Sequence, residues 1–117
     1  MSSYNDLPAD VQEQIKQMQN LQTQISTFSR QIEISQSRMN ELKSTLKEID
    51  PLKDEDELFK TVGQVMFKTT VIKVKSDFQE ELELLELKLK SMRGKEEKLK
   101  TQLTELNKSV TTRLNIQ

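Results

Sequence analysis

The chain has 117 residues, enough for one domain, of which 33% are hydrophobic, 32% charged and 4% aromatic. So little apolar side chain excludes a large globular core, and 18 Lys and Arg against 19 Asp and Glu exclude a broadly basic nucleic-acid-binding face. With no Cys and no His, disulfides, thiol nucleophiles and most zinc or imidazole chemistry are excluded too. What remains is a thin helical object that buries only a narrow stripe. No run approaches the roughly 20 apolar residues of a membrane span, and the start lacks a basic-then-apolar leader pattern. No membrane association is expected, and cytoplasmic residence is.

Pro8 opens the first element, because its missing N–H has no intrahelical partner in a first turn. No Pro or Gly follows until Asp50-Pro51, which disfavours helix at Asp50, so a helix is predicted over about 8–49. Within it a seven-residue period places Val11, Met18, Ile25, Ile32, Met39 and Leu46 in one register. Three residues on, the second register holds Gln14, Leu21, Phe28, Ser35, Leu42 and Ile49. Ten of these twelve positions are apolar, where chance at this composition supplies about four. The remaining faces are Gln, Ser, Asn, Lys and Glu, as a coiled-coil seam requires.

Residues 50–71 change texture. Asp54, Glu55, Asp56 and Glu57 form a short acidic link, which lacks the Gly and terminal Glu of a calcium loop and reads as solvated linker, with no metal. Leu58–Val62 and Val65–Thr70 are rich in β-branched and aromatic residues and flank Gly63-Gln64. That pattern predicts a β-hairpin, with Gly63 supplying a positive φ. The second helix is predicted over about 72–114, with its start placed loosely. One seam register runs Val71, Phe78, Leu85, Met92, Leu99 and Leu106, and the other Lys75, Leu82, Leu89, Glu96, Leu103 and Val110. Outside lie charges, several with Glu four residues before Lys, such as Glu86 and Lys90.

The fold class that follows is mainly α: a long antiparallel two-helix coiled coil joined by one β-hairpin. Chain reversal at the hairpin makes residues whose numbers total about 120 face one another, so Ile49 lies near Val71, Met39 near Glu81, and Val11 near 106–110. Two strands alone are marginal in water, and both edges of such a hairpin stay open. Leu58, Phe59, Val62, Gly63, Val65, Met66 and Phe67 are therefore the candidate oligomerisation residues, pairing with other hairpins in a sheet or barrel.

The run Leu58-Phe59-Lys60-Thr61-Val62-Gly63-Gln64-Val65-Met66-Phe67-Lys68-Thr69-Thr70 is similar to the hairpin of the prefoldin family. Phe78–Leu89 resembles the start of that family's second helix, and the Gln-rich face from Gln12 to Gln24 resembles its first. A single hairpin matches the β class; Gly94 departs from the family, which favours a charged helix former there. The resemblance implies a hetero-hexamer with an α-class prefoldin subunit, two α and four β, whose hairpins form an intersubunit β-barrel. It further implies an ATP-independent chaperone that holds unfolded client proteins at the coiled-coil tips and passes them to a group II chaperonin.

Such tips hold both chain ends. The candidate client-binding residues are Leu7, Val11, Ile15, Met18 and Leu21, facing Leu103, Leu106, Val110, Leu114 and Ile116. If the helices splay there, they form an apolar groove, to which flexible Met18 adapts. The alternative, that these residues simply close the coil, stands beside it. No catalytic constellation is found, so no enzyme and no cofactor are expected. A second reading of the whole chain is a scaffold coiled coil that binds one specific partner.

Overall fold

The computed structural model describes residues 3–116, with side chains through Asn115, so Ile116 lies outside the described side chains. A single 3-10 turn, Tyr4–Asp6, precedes helix α1, Ala9–Ile49. Strands β1, Glu57–Val62, and β2, Val65–Thr70, follow, and helix α2 spans Val71–Ile116.

Helix α1 begins directly after Pro8, whose carbonyl accepts the Gln12 N–H at 3.0 Å. The short arm before it folds back on this turn. The Tyr4 hydroxyl donates to the Gln12 carbonyl at 3.0 Å, and the Gln12 side-chain amide donates to the Leu7 carbonyl at 3.0 Å. At the other end Asp50-Pro51 terminates the helix as the proline rule requires.

The strands pair antiparallel, from Glu57 opposite Thr70 to Val62 opposite Val65. Gly63 has φ +58 and no other described residue has a positive φ. A positive angle at only the first of two loop residues defines a type II′ turn, whose twist matches that of the flanking strands.

Helix α2 starts with no intervening loop, at Val71, the first position of its seam register. The reason is capping, since the first N–H groups of a helix need outside acceptors. Val71 N–H donates to the Asp56 carbonyl at 3.1 Å, and Ile72 N–H to the Asp54 carbonyl at 3.1 Å. Lys73 N–H donates to the Thr70 hydroxyl at 3.4 Å. The Asp56 carboxylate in turn accepts the Lys53 N–H at 2.9 Å, which holds the link in a turn. The acidic link is thus exposed, as expected, but its backbone builds the start of α2, and its charge complements that helix end.

Two compact units result: Glu33–Lys90, and Met1–Ile32 with Ser91–Gln117. In the first, Ile49, Val71 and Val74 form a buried cluster flanked by Leu46, Leu58 and Phe78. Met39, Leu42 and Leu89 are buried there as well. In the second, Val11, Met92 and Val110 are buried. Within each unit the two helical segments run antiparallel, and all positions of the two expected seams are buried or half-buried. Each fully covered Leu or Val, such as Leu42, Val71 and Val11, contributes about 1.5–3 kcal/mol.

Candidate functional sites: the uncovered hairpin and the chain-end helix pair

Alternation along the strands sorts the hairpin into two faces. Leu58, Lys60, Val62, Val65, Phe67 and Thr69 share one face; Glu57, Phe59, Thr61, Met66, Lys68 and Thr70 share the other. The first is turned toward α2, since Leu58 packs on the Ile49–Val71–Val74 cluster. Beyond Leu58 that packing stops. Val62 and Phe67 overhang Val74 and Phe78 and leave a groove of about 230 Å³, rimmed by Lys60 and Asp77.

Phe59, Val62, Val65, Met66 and Phe67 are each more than half exposed, Met66 at 66% and Phe59 at 61%. Apolar side chains therefore stand uncovered on both faces, and among the described residues the sheet has only two strands. Of the seven expected assembly residues, Leu58 is half-buried and packs on the chain's own core. Gly63 acts through the turn.

The chain-end unit is closed in this structure. Val11 is fully buried and Val110 nearly so, whereas Leu114 is 42% exposed. Leu7, Ile15, Met18, Leu21, Leu103 and Leu106 are half-buried. Asp10, in the first turn of α1, and Arg113, in the last turn of α2, join in a two-pronged ion pair. Each sits at the helix end whose dipole favours its charge. One turn further in, the Gln14 side-chain amide donates to the Ser109 hydroxyl at 3.3 Å. Gln14 Oε1 is the one buried side-chain polar atom left unpaired among the described residues.

In the hairpin unit the partner of Glu81 is Arg38, one residue from the Met39 expected there. Arg38 Nε and Nη2 donate to the two Glu81 oxygens at 3.1 and 2.9 Å. Glu41 lies 3.3 Å from the same guanidinium, which stands 5.9 Å from the Phe78 ring centroid. The hydrogen bonds with Glu81 hold the Arg38 pKa above its ordinary value, with smaller charge effects from Glu81 and Glu41 adding to them against slight burial. The seam pattern could not show this pair, because both residues flank the seam.

Among the described residues no group of three or more Asp or Glu is placed to hold a metal. No described helix is long and apolar enough to cross a membrane.

The sequence model of the prefoldin subunit family matches residues 12–116. The chain belongs to the prefoldin family. Prefoldin subunit beta of Pyrococcus abyssi (strain GE5 / Orsay) is 31% identical over 105 residues, 90% of this chain and 90% of its own length. Prefoldin subunit beta of Thermococcus kodakarensis is 32% identical over 109 residues, 93% of each chain. The crystal structure of the prefoldin beta subunit from Thermococcus strain KS-1 superposes with a TM-score of 0.81 at 33% identity, covering 92% of this chain and 94% of that one. The likeness is to the β class, as the single hairpin suggested. Prefoldin subunits are chaperone components and not an enzyme class.

Proposed function

We propose that this chain is the β-class subunit of a cytoplasmic hetero-hexamer of two α-class and four β-class prefoldin subunits. The hexamer holds unfolded polypeptides without ATP and hands them to a group II chaperonin. The observation that carries the reading is the hairpin. It presents five large apolar side chains on two faces, with a row of backbone groups along each open edge that favours pairing with another strand. Hairpins of neighbouring subunits pair both edges if they continue the sheet, and closure into a barrel buries its inner face. Client capture is assigned to the chain-end helix pair, around Leu7, Val11, Ile15, Met18 and Leu21 with Leu103, Leu106, Val110 and Leu114. Several weak sites acting together then hold one client.

Native mass measurement and aggregation assays test both parts. The chain alone stays small, and mixing with an α-class subunit gives a hexamer that slows aggregation of several unrelated denatured clients without ATP. Deleting residues 1–10 and 108–117 abolishes that holding and leaves the hexamer assembled. Undiminished holding by the truncated hexamer refutes capture at the chain ends. Binding of one native partner without any general holding identifies a scaffold instead.

A further inference from the structure

One stretch of the seam in the chain-end unit is left open to a groove. Gln17, Asn20 and Leu21 of α1 and Gln102, Glu105, Leu106 and Ser109 of α2 line an open groove of about 490 Å³. Glu105 is its only charged residue, in a chain where 32% of residues are charged. Leu21 and Leu106 belong to the seam and are half-buried, so the groove has an apolar floor. Its rim carries the three carboxamides of Gln17, Asn20 and Gln102.

Gln17 precedes seam residue Met18, and Gln102 precedes seam residue Leu103. In the hairpin unit the equivalent flanking positions, before Met39 and Leu82, are Arg38 and Glu81, whose ion pair bridges the two helices. Two glutamines offer no such charge pair, and the seam between them stays accessible.

A carboxamide carries an N–H donor and a C=O acceptor, the same pairing groups as a peptide bond. From Gln102 to Ser109 the groove runs along about 10 Å of helix, which matches roughly three residues of extended chain. We propose that this groove binds an extended, non-native polypeptide segment through its backbone. Peptide groups pair with Gln17, Asn20 and Gln102, and one aliphatic side chain lies on Leu21 and Leu106. The inference rests on client capture at the chain ends and specifies its chemistry. Recognition is of peptide groups more than of sequence, and it works with Val11 and Val110 still buried.

The test uses the hexamer formed by the full-length chain with an α-class subunit. The probe is a labelled, unstructured peptide of Gly, Ser and Leu, compared with the same peptide N-methylated along its backbone. N-methylation removes the peptide N–H donors and keeps every side chain. The unmethylated peptide is expected to bind roughly tenfold more tightly and to shift the side-chain amide NMR signals of Gln17, Asn20 and Gln102. A Q17R/Q102E hexamer, in which an ion pair spans the groove as Arg38 and Glu81 do, is expected to lose binding by a similar factor while keeping its helix content. Equal binding of the two peptides overturns backbone recognition. If that equal binding is still lost on deleting residues 1–10 and 108–117, capture at the chain ends stands without it. If neither peptide binds the unaltered hexamer, both ideas fall together.

Discussion

The two compact units carry the same kind of seam, yet they differ in how well it is closed. In Glu33–Lys90 the buried cluster of Ile49, Val71 and Val74 lies directly under the hairpin, with Leu58 anchoring β1 to it. The first N–H groups of α2 are satisfied by the Asp54 and Asp56 carbonyls. A bidentate ion pair, with Phe78 behind it, spans the helices at Arg38 and Glu81. The chain-end unit has a fully buried Val11, but Gln14 interrupts its seam with an unpaired buried oxygen. Gly94 stands within α2 there, with open space where a Cβ would be. One unit is built to present a hairpin rigidly. The other holds its shape with less in reserve, as suits a surface proposed to accept varied clients.

Substitution at Leu42 gives the largest expected effect. Leu42→Ala leaves a cavity in the hairpin unit and should cost about 2–5 kcal/mol in chemical denaturation. A loss below about 1 kcal/mol would mean that this unit collapses around the gap and is not the rigid partner in the comparison. Next come two changes that should tighten the chain-end unit. Gln14→Leu removes the unpaired oxygen and should stabilise by about 1–2 kcal/mol after loss of the Ser109 bond. Gly94→Ala should add about 1 kcal/mol through helix propensity. Hydrogen exchange should slow at residues 9–20 and 100–112 in the double variant; unchanged exchange there would remove the contrast between the units.

The smallest effects concern the two forks. Both are partly exposed, so each should contribute only about 0.2–1 kcal/mol and weaken with salt. Arg38→Met should cost more than Arg113→Met, because Arg38 also stacks on Phe78 for about 0.5–1 kcal/mol. Double-mutant cycles with Glu81 and Asp10 separate the pair energies from other losses. A larger cost at Arg113 would reverse the ranking of the two units.

Much of this was legible in the residues. The seven-residue period located both helices and a seam that is buried or half-buried throughout, since periodicity is a property of one helix read alone, but it missed Val74, which is buried outside both registers. Gly63 between two β-branched runs located the turn, because an L side chain is disfavoured at its positive φ. The same reading named Leu58 an assembly residue and kept Val11 and Val110 open to either role. Alternation along a strand tells which residues share a face, but not which face the chain's own helices cover. Placement against Val71 and Val74 turned Leu58 inward, and closure of the helix pair buried the two valines.

The local pattern of the chain was sufficient for two long helices, one hairpin and their antiparallel return, because helix period, turn chemistry and helix breakers act over a few residues. Three features needed the folded chain: the capping of α2 by the Asp54 and Asp56 carbonyls, the ion pair of Arg38 with Glu81, and the open groove at Gln17 and Gln102. Each joins residues far apart in sequence or across two helices. The capping depends on where the hairpin returns the chain, and the other two on the rotation of one helix against its neighbour within a unit, quantities that no single helix encodes.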